Sequence, residues 1–146
     1  MQPCSVKENV LYTLDADTIS GIVNENHALE MFVHIKAFEG HDITMNAVSY
    51  FEVKRGLLKP QLFKKLAALK KLTNKFRVLP FDALSAEYAA DIYHTLEIQG
   101  LQLDKEDVKI AATGIRHQAV VITNNTKHFA RVPNIRLENW IEDSRE

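Results

Sequence analysis

A chain of 146 residues, 46% hydrophobic and 25% charged, with a net charge of −1, suits one compact globular domain able to bury a core. No apolar run approaches the roughly 20 residues that span a bilayer, and the N-terminal MQPCSVKEN lacks the apolar stretch of a secretory signal. The single cysteine, Cys4, excludes an intramolecular disulfide and a cysteine-built zinc site, so a reducing cytoplasm is expected.

In chain order, Asn9–Leu14 reads as a buried strand running into a turn at Asp15–Asp17. Thr18 to about Asn24 follows as a short helix, for which Asp17 is the better cap than Asp15, because Asp15 directly follows the strand. Ala28–Phe38 is predicted helical, Gly40 ends it, and Asp42–Thr44 forms a second strand. A helix over Asn46–Leu57 places Val48, Phe51 and Arg55 in one row. Pro60 suits the first turn of the next helix, where Leu62, Leu66 and Leu69 form an apolar row and Lys64, Lys71 and Lys75 another. Phe76–Leu79 is a third strand, Ala83–Gln99 a long helix closed by Gly100, and Lys105–His117 a further helix. Ala119–Thr123 is a buried strand and Ile135–Leu137 a last short edge strand. Helices alternating with short apolar strands imply a mainly parallel sheet covered on both faces.

Charge is unevenly spread. No acidic residue occurs from Val53 through Phe81, where lysines and arginines concentrate, whereas Asp82 through Asp107 is strongly acidic with Lys105 the one cation. A locally basic face attracts polyanions even on a near-neutral molecule. The alternative is an amphipathic helix with a solvated lysine side.

Three acids stand at or near helix starts: Asp15 in LYTLDADTIS, Glu52 in SYFEVKRGL and Asp107 in KEDVKIAATG. A parallel α/β sheet gathers strand ends at one edge, and carboxylates that converge there repel one another unless a divalent cation holds them. Each has a plainer reading: Asp15 as a turn or cap residue, Glu52 as a surface glutamate, and Asp107 as a first-turn acid favoured by the helix dipole. After the fourth strand, Thr123 and Asn124 can form side-chain turns, and Asn125 falls near the same edge. His94, His117 and His128 lack partners at metal-ligand spacing. The chain has no G-x-x-x-x-G-K-[ST], G-x-G-x-x-G or G-x-S-x-G, which argues against nucleotide-binding loops and serine hydrolase chemistry.

Taken together, LDADTIS (Leu14–Ser20), S-x-x-E-x-x-x-G (Ser49, Glu52, Gly56), D-x-x-I-A-A (Asp107, Ile110, Ala111, Ala112), TNN-x-x-x-F (Thr123–Asn125, Phe129) and RVPNIRLENW (Arg131–Trp140) resemble the PIN domain, more narrowly the VapC-type toxin ribonucleases. The resemblance implies a three-layer α/β/α sandwich around a mainly parallel sheet of four to five strands. It divides the chain into an N-terminal extension (1–9, native or appended), the domain (10–141) and a short tail (142–146). It further implies an endoribonuclease that uses Mg²⁺ or Mn²⁺ to cut structured RNA of the tRNA or rRNA class, leaving a 5′ phosphate. Metal would sit on Asp15 and Asp107, with Glu52 directly or through water.

The catalytic set implied is Asp15, Glu52, Asp107 and Asn125, the last standing where many members carry a fourth acid, which weakens the case for a tightly held second ion. Asp17, Ser49 and Thr123 would support the site, Asp17 partly compensating for Asn125, with Asp104 a more distant possibility. Lys54, Arg55, Lys127 and Arg131 are candidate phosphate contacts. The implied partners are RNA, a VapB-type antitoxin and a second copy of the chain, with no membrane. The competing readings are a housekeeping RNA-processing nuclease and a PIN-like binding module without catalysis.

Overall fold

The structure is a computed structural model and describes residues 8–146. Of the expected N-terminal extension, positions 1–7, Cys4 among them, lie outside the described residues. Five parallel strands form one sheet in the order β3-β2-β1-β4-β5. They are β1 (Leu11–Leu14), β2 (Asp42–Asn46), β3 (Val78–Leu79), β4 (Val120–Ile122) and β5 (Leu137–Glu138). The central strand β1 pairs Leu14 with Met45 of β2 on one side and with Ile122 of β4 on the other. Three strands therefore end level, and the chain leaves all of them at one edge.

Alternation along each strand makes two cores. Tyr12, Leu14, Ile43, Met45, Val120 and Ile122 face one layer, whereas Val121 faces the other. The first layer contains α1 (Ala16–Val23), α2 (His27–Phe38), α4 (Phe63–Lys75) and α8 (Trp140–Asp143), which supply Ile19, Leu29, Val33, Leu69 and Trp140. Trp140 is fully buried, packs against the Tyr12 and Phe32 rings at 4.8 and 5.4 Å between centroids, and donates its indole N–H to Glu138 at 2.9 Å. The opposite layer contains α5 (Ala83–Ile98), α6 (Lys105–Arg116) and α7 (Thr126–Phe129). Here α6 turns Ala111, Ala112 and Gly114 inward. Small residues let it lie close on the sheet: a Cβ on Gly114 would stand 2.5 Å from the Val121 methyl. The remaining helix, α3 (Ala47–Leu58), follows β2 and touches α1, α4 and α6.

The expected three-layer, parallel architecture is what the chain adopts. Several details differ. Asp15, not Asp17, caps α1: its backbone is extended (φ −81°, ψ 169°) and its carboxylate accepts from the Ala16 amide. A strand that passes directly into a helix makes the residue between them the cap, so site and cap coincide. Pro60 lies in the turn before α4, ahead of Gln61 at φ 56°, and is outside the helix. The buried row of α4 is Leu69 and Leu72, while Leu62 is substantially exposed. The third strand narrows to Val78–Leu79 and the last shifts to Leu137–Glu138. Helix α8 runs through the boundary expected at 141/142. Among the described residues no helix is long and apolar enough to cross a membrane.

Candidate functional site

Asp15 leaves β1 at the carboxyl edge of the sheet and is only 6% exposed. Its Oδ1 accepts from the Ala16 amide at 2.6 Å and from the Ser49 hydroxyl at 3.0 Å, and its Oδ2 accepts from the Thr123 hydroxyl at 2.8 Å. Ser49 comes from the buried side of α3 and Thr123 from the end of β4. The three donors therefore arrive from three segments that are distant in sequence. They occupy three of the carboxylate's roughly four lone-pair sites and leave Oδ2 with room for one more partner.

Glu52 lies on α3, one turn beyond Ser49, and its Oε1 is buried with no hydrogen-bond partner. Burial, then the negative charges of Asp15, Asp107 and Glu106, push its carboxyl pKa up, against a lowering by Arg55. Asp107, in the first turn of α6, is raised by burial and then by Asp15 and Asp104, with His128 opposing. Asp17 is raised to about 6 by burial and by Asp15, although its Oδ2 accepts from the Asn124 amide at 3.0 Å. The three acids singled out in the sequence thus feel one another's charge at one sheet edge, with Asp17 beside them.

The other candidates divide. Asn125 donates its backbone N–H to the Thr123 hydroxyl at 3.0 Å, and its carboxamide makes no cap bond to α7. Asp104 precedes α6 on the surface and acts on Asp107 through its charge. Arg55 lines a groove of about 300 Å³ with Glu52, Ser20 and Asn24. Lys54 and Lys127 are exposed, whereas Arg131 donates to the Gln102 carbonyl at 3.0 Å and is already engaged. His128, unpromising as a ligand in sequence, is exposed but close enough to lower the Asp107 pKa. Residues not singled out in sequence also converge here. Asn139 caps α8 and donates to Asn124 at 3.1 Å, and Asn46 caps α3 and bonds to α6. Their sequence signal is an Asn at a strand-to-helix junction.

Among the described residues, no three His, Cys, Asp or Glu side chains converge closely enough to enclose a cation by themselves. The chemistry of the donors nevertheless suits an open site. A divalent cation would relieve the orphaned buried carboxylate oxygen on Glu52 and its repelling neighbours, and Mg²⁺ is commonly held by one or two carboxylates while keeping waters and phosphate oxygens.

Comparison with known proteins agrees with this architecture. The family model described as PIN domain matches residues 12–135. Ribonuclease VapC2 of Rickettsia felis is 27% identical over 135 residues, covering 90% of this chain and 98% of the relative. The tRNA(fMet)-specific endonuclease VapC of Shigella flexneri is 30% identical over 97 residues, covering 66% of this chain and 74% of the relative. Among solved structures, VapBC2 from Rickettsia felis bound to a DNA fragment from their promoter superposes with a TM-score of 0.83 at 25% identity, covering 90% of this chain and 99% of that one. The DNA-bound VapBC of Salmonella typhimurium shares the fold, with a TM-score of 0.79 over 90% of this chain and 98% of that one. With the family model matching most of its length, and a VapC relative and the VapBC structures covering nine-tenths of it, the chain belongs to the PIN domain family and is VapC-like.

Proposed function

We propose that this protein is an endoribonuclease toxin that uses Mg²⁺ or Mn²⁺ to hydrolyse structured RNA and is neutralised by a VapB-type antitoxin. The observation that carries the metal dependence is the unpartnered, buried Oε1 of Glu52 beside Asp15 and Asp107, a grouping of negative charge that costs stability unless a cation joins it. Ribonuclease names among the relatives and VapBC complexes among the structural neighbours support the substrate and the partner.

Asp15 and Asp107 would hold the metal, with Glu52 directly or through water. When bound, the cation neutralises charge on the phosphate and makes water acidic enough to act as a nucleophile near neutral pH. Asp15 cannot swing, because Ser49 and Thr123 fix its two oxygens, so its free lone pair keeps one direction. Glu52 has a raised affinity for protons and an uncommitted oxygen, which suit it to orient the attacking water and receive its proton. Water adds to phosphorus as the bond to the 3′ oxygen breaks, giving a 5′ phosphate and a 3′ hydroxyl. Asn125 offers a neutral carboxamide and so adds no charge for a second ion. Arg55 stands in the groove beside Glu52, where a backbone phosphate can meet it. A homodimer belongs to the same proposal, with exposed Met31, Ile35 and Phe38 on α2 and Leu84, Tyr88 and Ile98 on α5 as the apolar surface available to it.

The test is incubation of the purified chain with total tRNA and rRNA across a Mn²⁺ and Mg²⁺ series, with 5′ ends mapped for wild type, Asp15→Asn and Asp107→Asn. Discrete metal-dependent cuts lost in both variants are expected. Absence of any cut with either metal, or cuts that survive in Asp15→Asn, overturns the reading.

A further inference from the structure

Asn46 is the last residue of β2, pairs with Leu79 of β3, and is completely buried. Its carboxamide is used in both directions. Oδ1 accepts the Val48 amide at 3.1 Å, closing the N-terminus of α3, and Nδ2 donates to the Ile110 carbonyl of α6 at 3.2 Å across 64 residues of sequence. Because one partner can only donate and the other only accept, these two bonds also fix which end of the amide is which. The Ile110 carbonyl lies inside α6, so this second bond is no part of a helix cap.

The two elements so joined carry two of the three clustered acids. Glu52 is about 9 Å along α3 from Asn46, and Ile110 about 4.5 Å along α6 from Asp107, at 1.5 Å of rise per residue. Glu52 and Asp107 repel each other, which pushes α3 and α6 apart whenever no cation lies between them. An amide is well suited to oppose that: it is neutral, so it adds no charge of its own, and it donates and accepts at once. Serine at this position keeps an acceptor for Val48 but is too short to reach Ile110, and an ionised aspartate has the reach but no donor.

We propose that Asn46 is a positioning residue that sets the separation of α3 and α6, and so of Glu52 and Asp107, for divalent-cation binding. The inference rests on the metal-dependent reading above. Asn46 touches neither solvent nor substrate, and its effect travels through the two helices it ties.

The test compares wild type with N46S and N46D, which retain the α3 cap, and with N46A, which loses both bonds. Mn²⁺ binding is followed by electron paramagnetic resonance, and amide hydrogen exchange is followed in the metal-free protein. Expected is a loss of Mn²⁺ affinity of about tenfold or more in N46S and N46D, the scale seen when groups supporting metal ligands are removed. Faster exchange along α6, with α2 unchanged, should accompany it, and for RNA a fall in kcat at little-changed KM. N46S that binds Mn²⁺ like wild type, or exchanges in α6 like wild type, overturns the positioning role and leaves Asn46 a helix cap. If wild type itself binds no Mn²⁺, the metal reading and the positioning role fall together, while exchange in α6 still shows whether the tie exists.

Discussion

The Ser49 hydroxyl donates to Oδ1 of Asp15 at 3.0 Å, both groups being buried and 34 residues apart in sequence. The bond joins the end of the central strand to α3, three residues before Glu52. A hydrogen bond to a charged group is worth about 1.5–3 kcal/mol, and removing this donor leaves Oδ1 with the Ala16 amide alone. Ser49→Ala is therefore expected to destabilise the protein by about that amount in urea unfolding. It should also weaken Mn²⁺ binding or RNA cleavage by about 10–100-fold, as loss of ligand-orienting partners does. Stability and activity both equal to wild type would remove Ser49 from the site.

Asp17 sets a pH dependence whose sign follows from its raised pKa of about 6 against an ordinary value of 3.8. The folded state binds the proton more tightly than the unfolded chain, so this contribution is full below pH 3.8 and is lost as pH rises through about 6. Asp17→Asn keeps an acceptor for the Asn124 amide and removes the charge facing Asp15. In metal-free protein at pH 7.5 it should raise stability by about 1–2 kcal/mol, the shift being discounted for solvent at this half-buried group, and the gain should vanish near pH 3.5. Thermal unfolding in EDTA across that range is the measurement.

Glu52 and Asp107 are both raised, first by burial and then by the charge of Asp15, so they too weaken the metal-free fold as pH rises above the carboxylate range. A cation bound to their charged forms reverses the slope. Added Mn²⁺ should raise the melting temperature at pH 7.5 and do little near pH 4, and Glu52→Gln or Asp107→Asn should shrink the rise. An equal Mn²⁺ effect at both pH values would place the ion elsewhere.

Gly114 holds α6 on the sheet, since a Cβ there would stand 2.5 Å from the Val121 methyl. Gly114→Ala should gain about 1 kcal/mol of helix propensity yet lose more to overpacking, typically about 1–3 kcal/mol. The net expected is a modest loss of stability that Val121→Ala partly rescues. A rescue of zero in the double-mutant cycle would show that the contact relaxes without strain.

Trp140 joins α8 to the first layer through Tyr12, Phe32 and Glu138. Trp140→Ala should cost about 3–5 kcal/mol, a large part of a domain's usual 5–15 kcal/mol. A chain ending before Trp140 should therefore fold poorly. Chemical denaturation of both variants checks this.

Sequence by itself determined the alternation of helices and strands, the parallel sheet and the placing of Asp15 and Asp107 at helix starts, because periodicity, breakers and strand-end placement are local properties, whereas Glu52 lies midway along α3 rather than near its start. It could not settle what Asp15 does. The local pattern favours Asp17 as the cap, since nothing in it shows that the strand passes into the helix without an intervening turn. Nor could the local pattern tell how the polar residues converge: Ser49 and Thr123, which the family resemblance put beside the site, reach Asp15, and Asn46, which carried no such role, reaches Ile110, only because β2, β1 and β4 lie side by side and end level. Short edges such as Leu137–Glu138 were misplaced for the same reason, their ladder bonds being made by a neighbour distant in sequence. Hydrophobic pattern chose the layers, and the register between strands decided which side chains meet at their ends.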